Sequence, residues 1–341
     1  MQIPIEAILF ALLIAMAIVI GRMRDLFAAA MLTGMFSLMS AGLFTLMDAV
    51  DVAFTEAAVG AGVSTVLLLG TLSVTRQQER MRPTRPLPLM VVLFTGAALL
   101  WGTLDMPAYG DPNAFAHNDI TRAFIQGTAE TFEIPNAVTA VLGSYRGYDT
   151  LGETTVIFAA IVGVMAALGR SHTQPGHHDP VEAGPDAARS HMRMRDKAIL
   201  RVIAKAFIPF ILLFGLYVQF HGDFGPGGGF QAGVIVAAGF VLYGLIFGLD
   251  NAERVAPPRI VEIGAALGVL LFAGTGIVNM LQGGMFLDYS TLGAHAGEPM
   301  TKEHITHGLH RGLLLIEGGV GITVACSILM IFYQFSGRGR H

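Results

Sequence analysis

Four ionisable residues lie inside stretches that are otherwise apolar enough to cross a lipid bilayer: Glu56, Glu153, Lys205 and Glu317. A charge near hydrocarbon costs about 3 kcal/mol or more, so such residues are rare in membrane helices and usually serve ion or proton movement. Carboxylates exchange protons, and their oxygens are suitable ligands for hard cations. A nearby lysine changes the proton affinity of a carboxylate through its own charge. The chemistry predicted is a hydrated relay for protons or cations.

The composition identifies a polytopic membrane protein. Of the 341 residues, 53% are hydrophobic and 13% are charged, whereas soluble domains have roughly 25% charged residues. The net charge of −4 argues against nucleic acid as a partner. The single cysteine, Cys326, excludes an internal disulfide and a cysteine-based metal site. No phosphate-binding loop, nucleophile elbow or metal-ligand set is evident, so we predict neither an enzyme nor a cofactor.

Nine stretches of the sequence could cross a membrane, since a spanning helix needs roughly 20 mostly apolar residues. They cover approximately residues 3–20, 26–47, 52–74, 87–106, 151–169, 200–220, 228–249, 260–281 and 309–335. We therefore predict an all-α fold of about nine transmembrane helices. With the N-terminus outside, sixteen Lys and Arg residues fall on the cytoplasmic side, and Arg122, Arg146, Lys302 and Arg311 fall outside. The excess of positive charge inside predicts this orientation, with a cytoplasmic C-terminus.

The polar interruptions divide the chain into four regions. Residues 171–197 hold four histidines, three prolines and mixed charges, a composition typical of a disordered cytoplasmic linker. A metal site at His177 and His178 is the less favoured interpretation, because the spacing is irregular. We predict a three-helix region over 1–80, a two-helix region over 81–170 and a four-helix region over 198–341. Between the two helices of the second region, short surface helices are expected, one after Asn118 and one opened by Asn136.

The predicted topology gives each buried charge a depth. Glu56 follows Asp48 and Asp51 and lies about one turn inside the third span. Asp149 is one helical turn before Glu153, on the same face of the fifth span.

Glu317 lies two turns into the ninth span, in line with His310 and flanked by His307. The carboxylates of the third, fifth and ninth spans are thus predicted to lie in the outer half of the membrane. Lys205 lies near the cytoplasmic end of the sixth span. The candidate path residues are Glu56, Asp149, Glu153, Lys205, Glu317 and His310.

Each of these residues also has a purely structural interpretation. Glu56, Asp149 and Glu153 could be interfacial carboxylates in contact with water or headgroups, and Lys205 could extend its ammonium group to the inner surface. His307 and His310 could be ordinary interface histidines. Glu317 is deeper, so a solvated role fits it less well.

A glycine-rich turn over residues 221–230 joins the sixth and seventh predicted spans. It lacks the Gly-Lys-Ser/Thr ending of a phosphate-binding loop. Its predicted role is a tight, sterically open bend made by His221, Pro226, Gly227, Gly228 and Gly229. Gly229 and Gly233, four residues apart, would allow close helix packing.

Three stretches of the sequence carry a family resemblance. Residues 207–217 read FIPFILLFGLY and are followed by His221-Gly222 and by PGGGF at 226–230; together they resemble the B subunit of Mrp-type multisubunit sodium/proton antiporters. Residues 51–62 (DVAFTEAAVGAG) and 145–156 (YRGYDTLGETTV) resemble the C-terminal region of the A subunit of the same systems. The three stretches occur in the order expected for a fusion.

The resemblance implies a chain of three, two and four spans. The first five would be similar to the A-subunit tail, with regions like the MbhD and MbhE subunits and like the J subunit of respiratory complex I. The last four would be similar to the B subunit. The family's motif glutamates match Glu56 and Glu153, and its B-subunit lysine matches Lys205. The linker length and the missing antiporter-like N-terminal region depart from the family's pattern, which implies that this chain alone does not transport.

The function expected from this resemblance is that of one component of a sodium/proton antiporter in the bacterial inner membrane. Its partners would be the A, C, D, E, F and G types of Mrp subunit together with membrane lipid, and the transported ions would be Na⁺ and H⁺. Two alternatives remain open at this point: a homologous module of a redox-driven ion pump, and a scaffold subunit that conducts nothing.

Overall fold

The structure is a computed structural model that describes residues 2–75, 78–79, 86–108, 111–114, 117, 119–168, 198–293 and 300–337. Over these ranges the chain is helical and contains no β-strand. Within these residues, eight helical stretches are long and apolar enough to cross a membrane; the third, Val50–Leu72, includes a π-helical segment. The predicted all-α, multi-pass fold is confirmed. The histidine-rich linker and Asn118 lie outside the described residues.

The helices follow the predicted order. They are α1 (Gln2–Arg22), α2 (Leu26–Leu46), α3 (Val50–Glu56), α4 (Thr65–Val74), α5 (Pro86–Gly102), α6 (Asp119–Gly127), α7 (Ala137–Ala140), α8 (Gly147–Leu168), α9 (Ala198–His221), α10 (Gly229–Phe247), α11 (Leu249–Val255), α12 (Pro258–Leu281) and α13 (Lys302–Gly337). The predicted fourth span corresponds to α5, which at 17 residues is about 25 Å long and shorter than a typical spanning helix.

The third span is interrupted by a π-helical segment, Ala57–Ser64, between α3 and α4. The long apolar run at residues 52–74 had predicted a continuous α-helix here. The segment and the start of α4 pack tightly on α2: a β-carbon at Gly60 would contact Ser37, and one at Gly34 would stand 2.5 Å from Thr65 Oγ1. Single-turn π segments are rare and frequently occur at functional sites.

Helix α13 is the centre of the bundle and packs against α8, α10 and α12. Small residues allow these close crossings. A β-carbon at Gly319 would stand 2.6 Å from the carbonyl oxygen of Gly268 on α12. On the other side, a β-carbon at Gly233 would stand 2.6 Å from the carbonyl oxygen of Gly321. The predicted close packing at Gly229 and Gly233 is confirmed.

The chain between α5 and α8 includes a segment of short helices that we call the connecting segment, residues 119–145. It comprises α6, the π-helical turns Thr128–Phe132 and Val141–Tyr145, and α7 between them. Asn136 caps α7 by accepting from Val138 N at 2.9 Å, as predicted. Tyr289 secures this segment to the α12–α13 loop, because its buried hydroxyl donates to Gly143 O at 2.8 Å.

Candidate functional site

The chain reverses direction between α9 and α10 in a compact loop that we call the glycine turn, residues 221–229. Phe224 N and Gly225 N both donate to His221 O, and Gly228 N donates to Val218 O. The His221 ring stacks on Tyr217, with ring centroids 5.0 Å apart. Gly228 has φ +116°, a left-handed conformation that favours glycine. The predicted turn residues therefore form one rigid bend.

Side chains from two other regions hold the glycine turn in place. Asn136 Nδ2 donates to Gly222 O and Gly225 O, both at 2.9 Å. Thr139 Oγ1 donates to Gly222 O at 2.7 Å. From α3, Asp51 Oδ1 accepts from Gly227 N at 3.2 Å. The turn is thus the point at which the three helical regions meet.

The carboxylate of Glu317 lies directly beneath the glycine turn. A β-carbon at Gly222 would stand 3.2 Å from Glu317 Oε2, and one at Gly228 would stand 3.3 Å from Glu317 Oε1. The backbones also touch, because a β-carbon at Gly229 would overlap the Glu317 carbonyl group. The glycines therefore let the turn close over an acidic side chain within a membrane-spanning helix.

Glu317 faces a cavity of about 350 Å³ that also receives Asp51 from α3 and Glu153 from α8. Threonine hydroxyl groups and the side chain of Gln231 complete its polar lining, and the remaining walls are mostly apolar. One acidic group thus comes from each of the three helical regions. Asp51 and Asp223 are near enough to Glu317 to repel its negative charge, so the cavity favours a bound proton or cation.

A second, more open space of about 380 Å³ adjoins this cavity. It is lined by Asp48, Asp51, Asn136 and Phe224, among others, and it shares Asp51, Val52 and Val138 with the cavity. Asp51 therefore stands at the boundary between the two spaces. Acidic side chains thus line both spaces, Asp48 and Asp51 the open one and Asp51, Glu153 and Glu317 the cavity.

Only two of the six predicted path residues, Glu153 and Glu317, line the cavity. Glu56 is half-buried against α2, with its Oε1 2.8 Å from the position of a Gly60 β-carbon. Asp149 is exposed and forms an ion pair with Arg146 at 2.6 Å. Lys205 is exposed on α9. The sequence predicted the end of the helix near which each residue lies. It could not predict which helix faces meet in the folded chain.

His310 lies at the edge of the site rather than inside it. Its Nδ1 is 3.4 Å from Asp223 Oδ2. Its Nε2 is 3.0 Å from Phe132 O, and because a carbonyl oxygen can only accept, Nε2 is the donor. His310 thus joins the glycine turn to the connecting segment.

A neighbouring ion pair between Lys302 and Glu133, at 2.9 Å, strengthens the same junction. The hydrogen bond from Lys302 and its positive charge lower the pKa of the Glu133 carboxyl. Among the residues that the structure describes, no group of three or more His, Cys, Asp or Glu side chains could hold a metal ion.

Three residues of the site were not predicted from the sequence. Asp51 was noted only as a neighbour of Glu56, Asn136 only as a helix cap, and Gln231 not at all. The position of Asp51 in the first turn of a span was a usable signal. The roles of Asn136 and Gln231 depend on contacts between distant segments, which have no local sequence pattern.

Replacing Asn136 by Ala should loosen the glycine turn. The change removes two hydrogen bonds to turn carbonyls and the cap of α7; each lost bond to a buried group costs about 1–3 kcal/mol. We expect a lower thermal unfolding temperature of the purified complex and slower ion exchange. Asn113→Ala is the matched control, since Asn113 lies in an exposed loop and should leave both unchanged. Equal stability of the two variants would contradict the role of Asn136 in holding the glycine turn.

Two family models match separate parts of the chain. Residues 199–330 match the domain related to the MnhB subunit of Na⁺/H⁺ antiporters. Residues 11–77 match the family of the MBH D subunit. The cavity combines both parts, because Asp51 lies in the second match and Glu317 in the first.

Curated relatives include antiporter subunits. The chain is 32% identical over 140 residues to a putative antiporter subunit mnhB2 of Staphylococcus haemolyticus, covering 41% of this chain and 94% of the relative. It is 26% identical over 318 residues to the A/B subunit of a probable K⁺/H⁺ antiporter of Rhizobium meliloti, covering 86% of this chain. The chain spans only 30% of the length of that second relative.

Two solved structures contain similar chains. One belongs to the Mrp complex of Dietzia sp. DQ12-45-1b, with a TM-score of 0.74 and 26% identity, covering 98% of this chain and 35% of that chain. The other belongs to the membrane-bound sulfane sulfur reductase, an archaeal respiratory membrane complex. Its TM-score is 0.50 with 28% identity, covering 72% of this chain and 94% of that chain.

Proposed function

We propose that this chain, which belongs to the MnhB family of antiporter subunits, is one component of a multisubunit Na⁺/H⁺ antiporter. A region like the MBH D subunit precedes its MnhB-like part. We further propose that the cavity between these parts belongs to the ion path. The observation that carries this proposal is the meeting of Asp51, Glu153 and Glu317 around one space. Ionisable groups inside membrane-spanning helices cost free energy, so those that are present usually serve ion or proton movement.

The proposed chemistry is competition for a carboxylate. Glu317 beneath the glycine turn holds either a proton or a monovalent cation, since binding one removes the negative charge that attracts the other. Asp51 at the boundary with the open space draws cations toward the cavity, and Glu153 offers the second acceptor. Exchange between these carboxylates requires no covalent step, so we assign a transport role to this chain and no enzymatic one.

The partners proposed are the other subunit types of an Mrp complex: A, C, D, E, F and G. The similarity to a chain of the Dietzia complex over 98% of this sequence supports this assignment. Exposed apolar faces on α5 and α9 fit burial by neighbouring subunits or lipid. We further propose the bacterial inner membrane as its location, with the N-terminus outside, because the Lys and Arg distribution favours that orientation.

Replacing Glu153 by Gln tests the proposal. The change keeps the side-chain volume and removes the ionisable group, so we expect assembly of the full complex to be normal and Na⁺-driven proton exchange to fall to the background of empty vesicles. The measurement is the pH change inside vesicles that contain the reconstituted complex after Na⁺ addition. Glu130→Gln, an exposed carboxyl of the connecting segment, is the matched control and should exchange at the normal rate.

The similarity to the sulfane sulfur reductase chain favours a second candidate, a module of a redox-driven pump. Co-purification with subunits that carry metal clusters would support this candidate over the antiporter. If the chain is a scaffold that conducts nothing, complexes with Glu153→Gln should exchange ions at the normal rate. Deletion of the chain should still destroy the complex.

A further inference from the structure

Gln231 is a buried polar residue whose side chain has no bonding partner within the described protein. It lies in the first turn of α10, only 7% exposed, and lines the cavity beside Glu317. Its amide atoms are not among the fully enclosed, unpartnered polar atoms of the described residues, so they are open to the cavity. A polar group that faces such a space, rather than a protein partner, is placed to serve a ligand there.

The amide oxygen of Gln231 and the carboxylate of Glu317 converge on Gly228. A β-carbon at Gly228 would stand 3.8 Å from Gln231 Oε1 and 3.3 Å from Glu317 Oε1. Gly228 also has φ +116°, so a larger residue is disfavoured there on two grounds. The turn thus leaves room at Gly228 beside both a neutral oxygen and an acidic oxygen.

The chemistry of this pair fits a small monovalent cation. Hard cations prefer carboxylate and amide oxygens, and the cavity offers one of each at this point. A volume of about 350 Å³ has room for roughly ten waters at about 30 Å³ each, so a bound ion would keep part of its hydration shell. A divalent ion prefers several carboxylates in direct contact, and no such cluster occurs in the described part of the chain.

We propose that Gln231 is a cation-binding residue of the cavity, supplying a neutral oxygen ligand to an alkali cation held by the Glu317 carboxylate. This inference rests on the proposed antiporter function. A neutral oxygen attracts the cation but does not take up a proton at physiological pH. Gln231 therefore sets the affinity for the cation, whereas Glu317 binds the cation and the proton in turn.

The test replaces Gln231 by Met, which has a similar length and no hard oxygen, in the complete complex reconstituted into vesicles. The expected result is a KM for Na⁺ at least about tenfold higher, with the maximal rate at saturating Na⁺ and the pH profile of that rate retained. The matched control is Gln334→Met, because Gln334 is also buried but lies away from the cavity on α13. Its KM should be normal. An unchanged KM for Gln231→Met, or an equal increase in both variants, would overturn the proposal.

A second variant keeps the test decisive if Gln231→Met fails to assemble. Gln231→Glu retains an oxygen ligand and adds charge, so its KM for Na⁺ should be normal or lower; an increase would overturn the proposal. Failure of this inference can be distinguished from failure of the proposed function. If Glu153→Gln stops exchange while Gln231→Met leaves KM unchanged, only the role of Gln231 is wrong. If Glu153→Gln exchanges normally, the ion path itself is wrong.

Discussion

Replacing Glu317 by Gln is expected to abolish cation-driven proton exchange while the complex still assembles. Glutamine keeps the shape that fills the space beneath Gly222 and Gly228, so packing of α13 against the glycine turn should survive. What is lost is the only group in this position that can bind a proton and a cation alternately. With Asp51 and Glu153 left in the cavity, ions can enter but cannot be exchanged at its centre.

The measurement for Glu317→Gln is the initial rate of proton movement in vesicles after a pulse of Na⁺, normalised to the amount of complex. A fall of at least about 100-fold is expected, comparable to the loss of an essential proton-transfer group. Glu303→Gln is the matched control, since Glu303 lies in the first turn of the same helix and is exposed. A rate within about threefold of the unmodified complex for Glu317→Gln would refute its role.

Replacing Gly229 by Ala should have the largest effect on stability. The new methyl group would overlap the carbonyl group of Glu317, and backbone atoms cannot move aside as the end of a flexible side chain can. Separating α10 from α13 would also open contacts at Gly233 and Gly321. Overpacking in a tight core typically costs about 1–3 kcal/mol. Because the contact at Gly229 is with backbone atoms, we expect its cost to lie at the upper end of that range or above it.

The readout for Gly229→Ala is the amount of the protein retained in the purified complex and the thermal unfolding temperature of that complex. Both should fall sharply. Gly274→Ala on α12 is the matched control, because a β-carbon there would have no neighbour within 4 Å, and helix propensity favours alanine over glycine by about 1 kcal/mol. Normal recovery of Gly229→Ala complexes would show that the α10–α13 crossing is looser than described.

Much of the fold could be predicted from the sequence because membrane helices have a strong local signal. Long apolar runs gave the spans, and Asn136 followed by a short apolar run gave α7 correctly. The π-helical segment at Ala57–Ser64 was missed, since its altered hydrogen bonding follows from packing on α2 and not from residue pattern. The ninth predicted span began at residue 309, whereas α13 begins two turns earlier, at Lys302. Polar residues in those two turns hide the continuity of the helix in the sequence.

The candidate site was predictable only in part. A charge inside an apolar run identifies a residue as unusual, and two of the residues selected in this way, Glu153 and Glu317, line the cavity. It cannot tell which helix faces meet, and so it gave equal weight to Asp149, which is exposed and paired with Arg146. Lys205 stays a prediction: its exposed position near the start of α9 is compatible with a role at a contact with a neighbouring chain and with extension to the membrane surface.

We propose that cations and protons compete for Glu317 in a cavity lined by three parts of one chain. The most direct measurement is the release of protons from the purified, weakly buffered complex when Na⁺ is added, with Li⁺ or K⁺ in parallel. We expect Na⁺ to release protons from the unmodified complex, and the Glu317→Gln complex to release about one proton fewer for each copy of the chain. Equal proton release from the two complexes would contradict it.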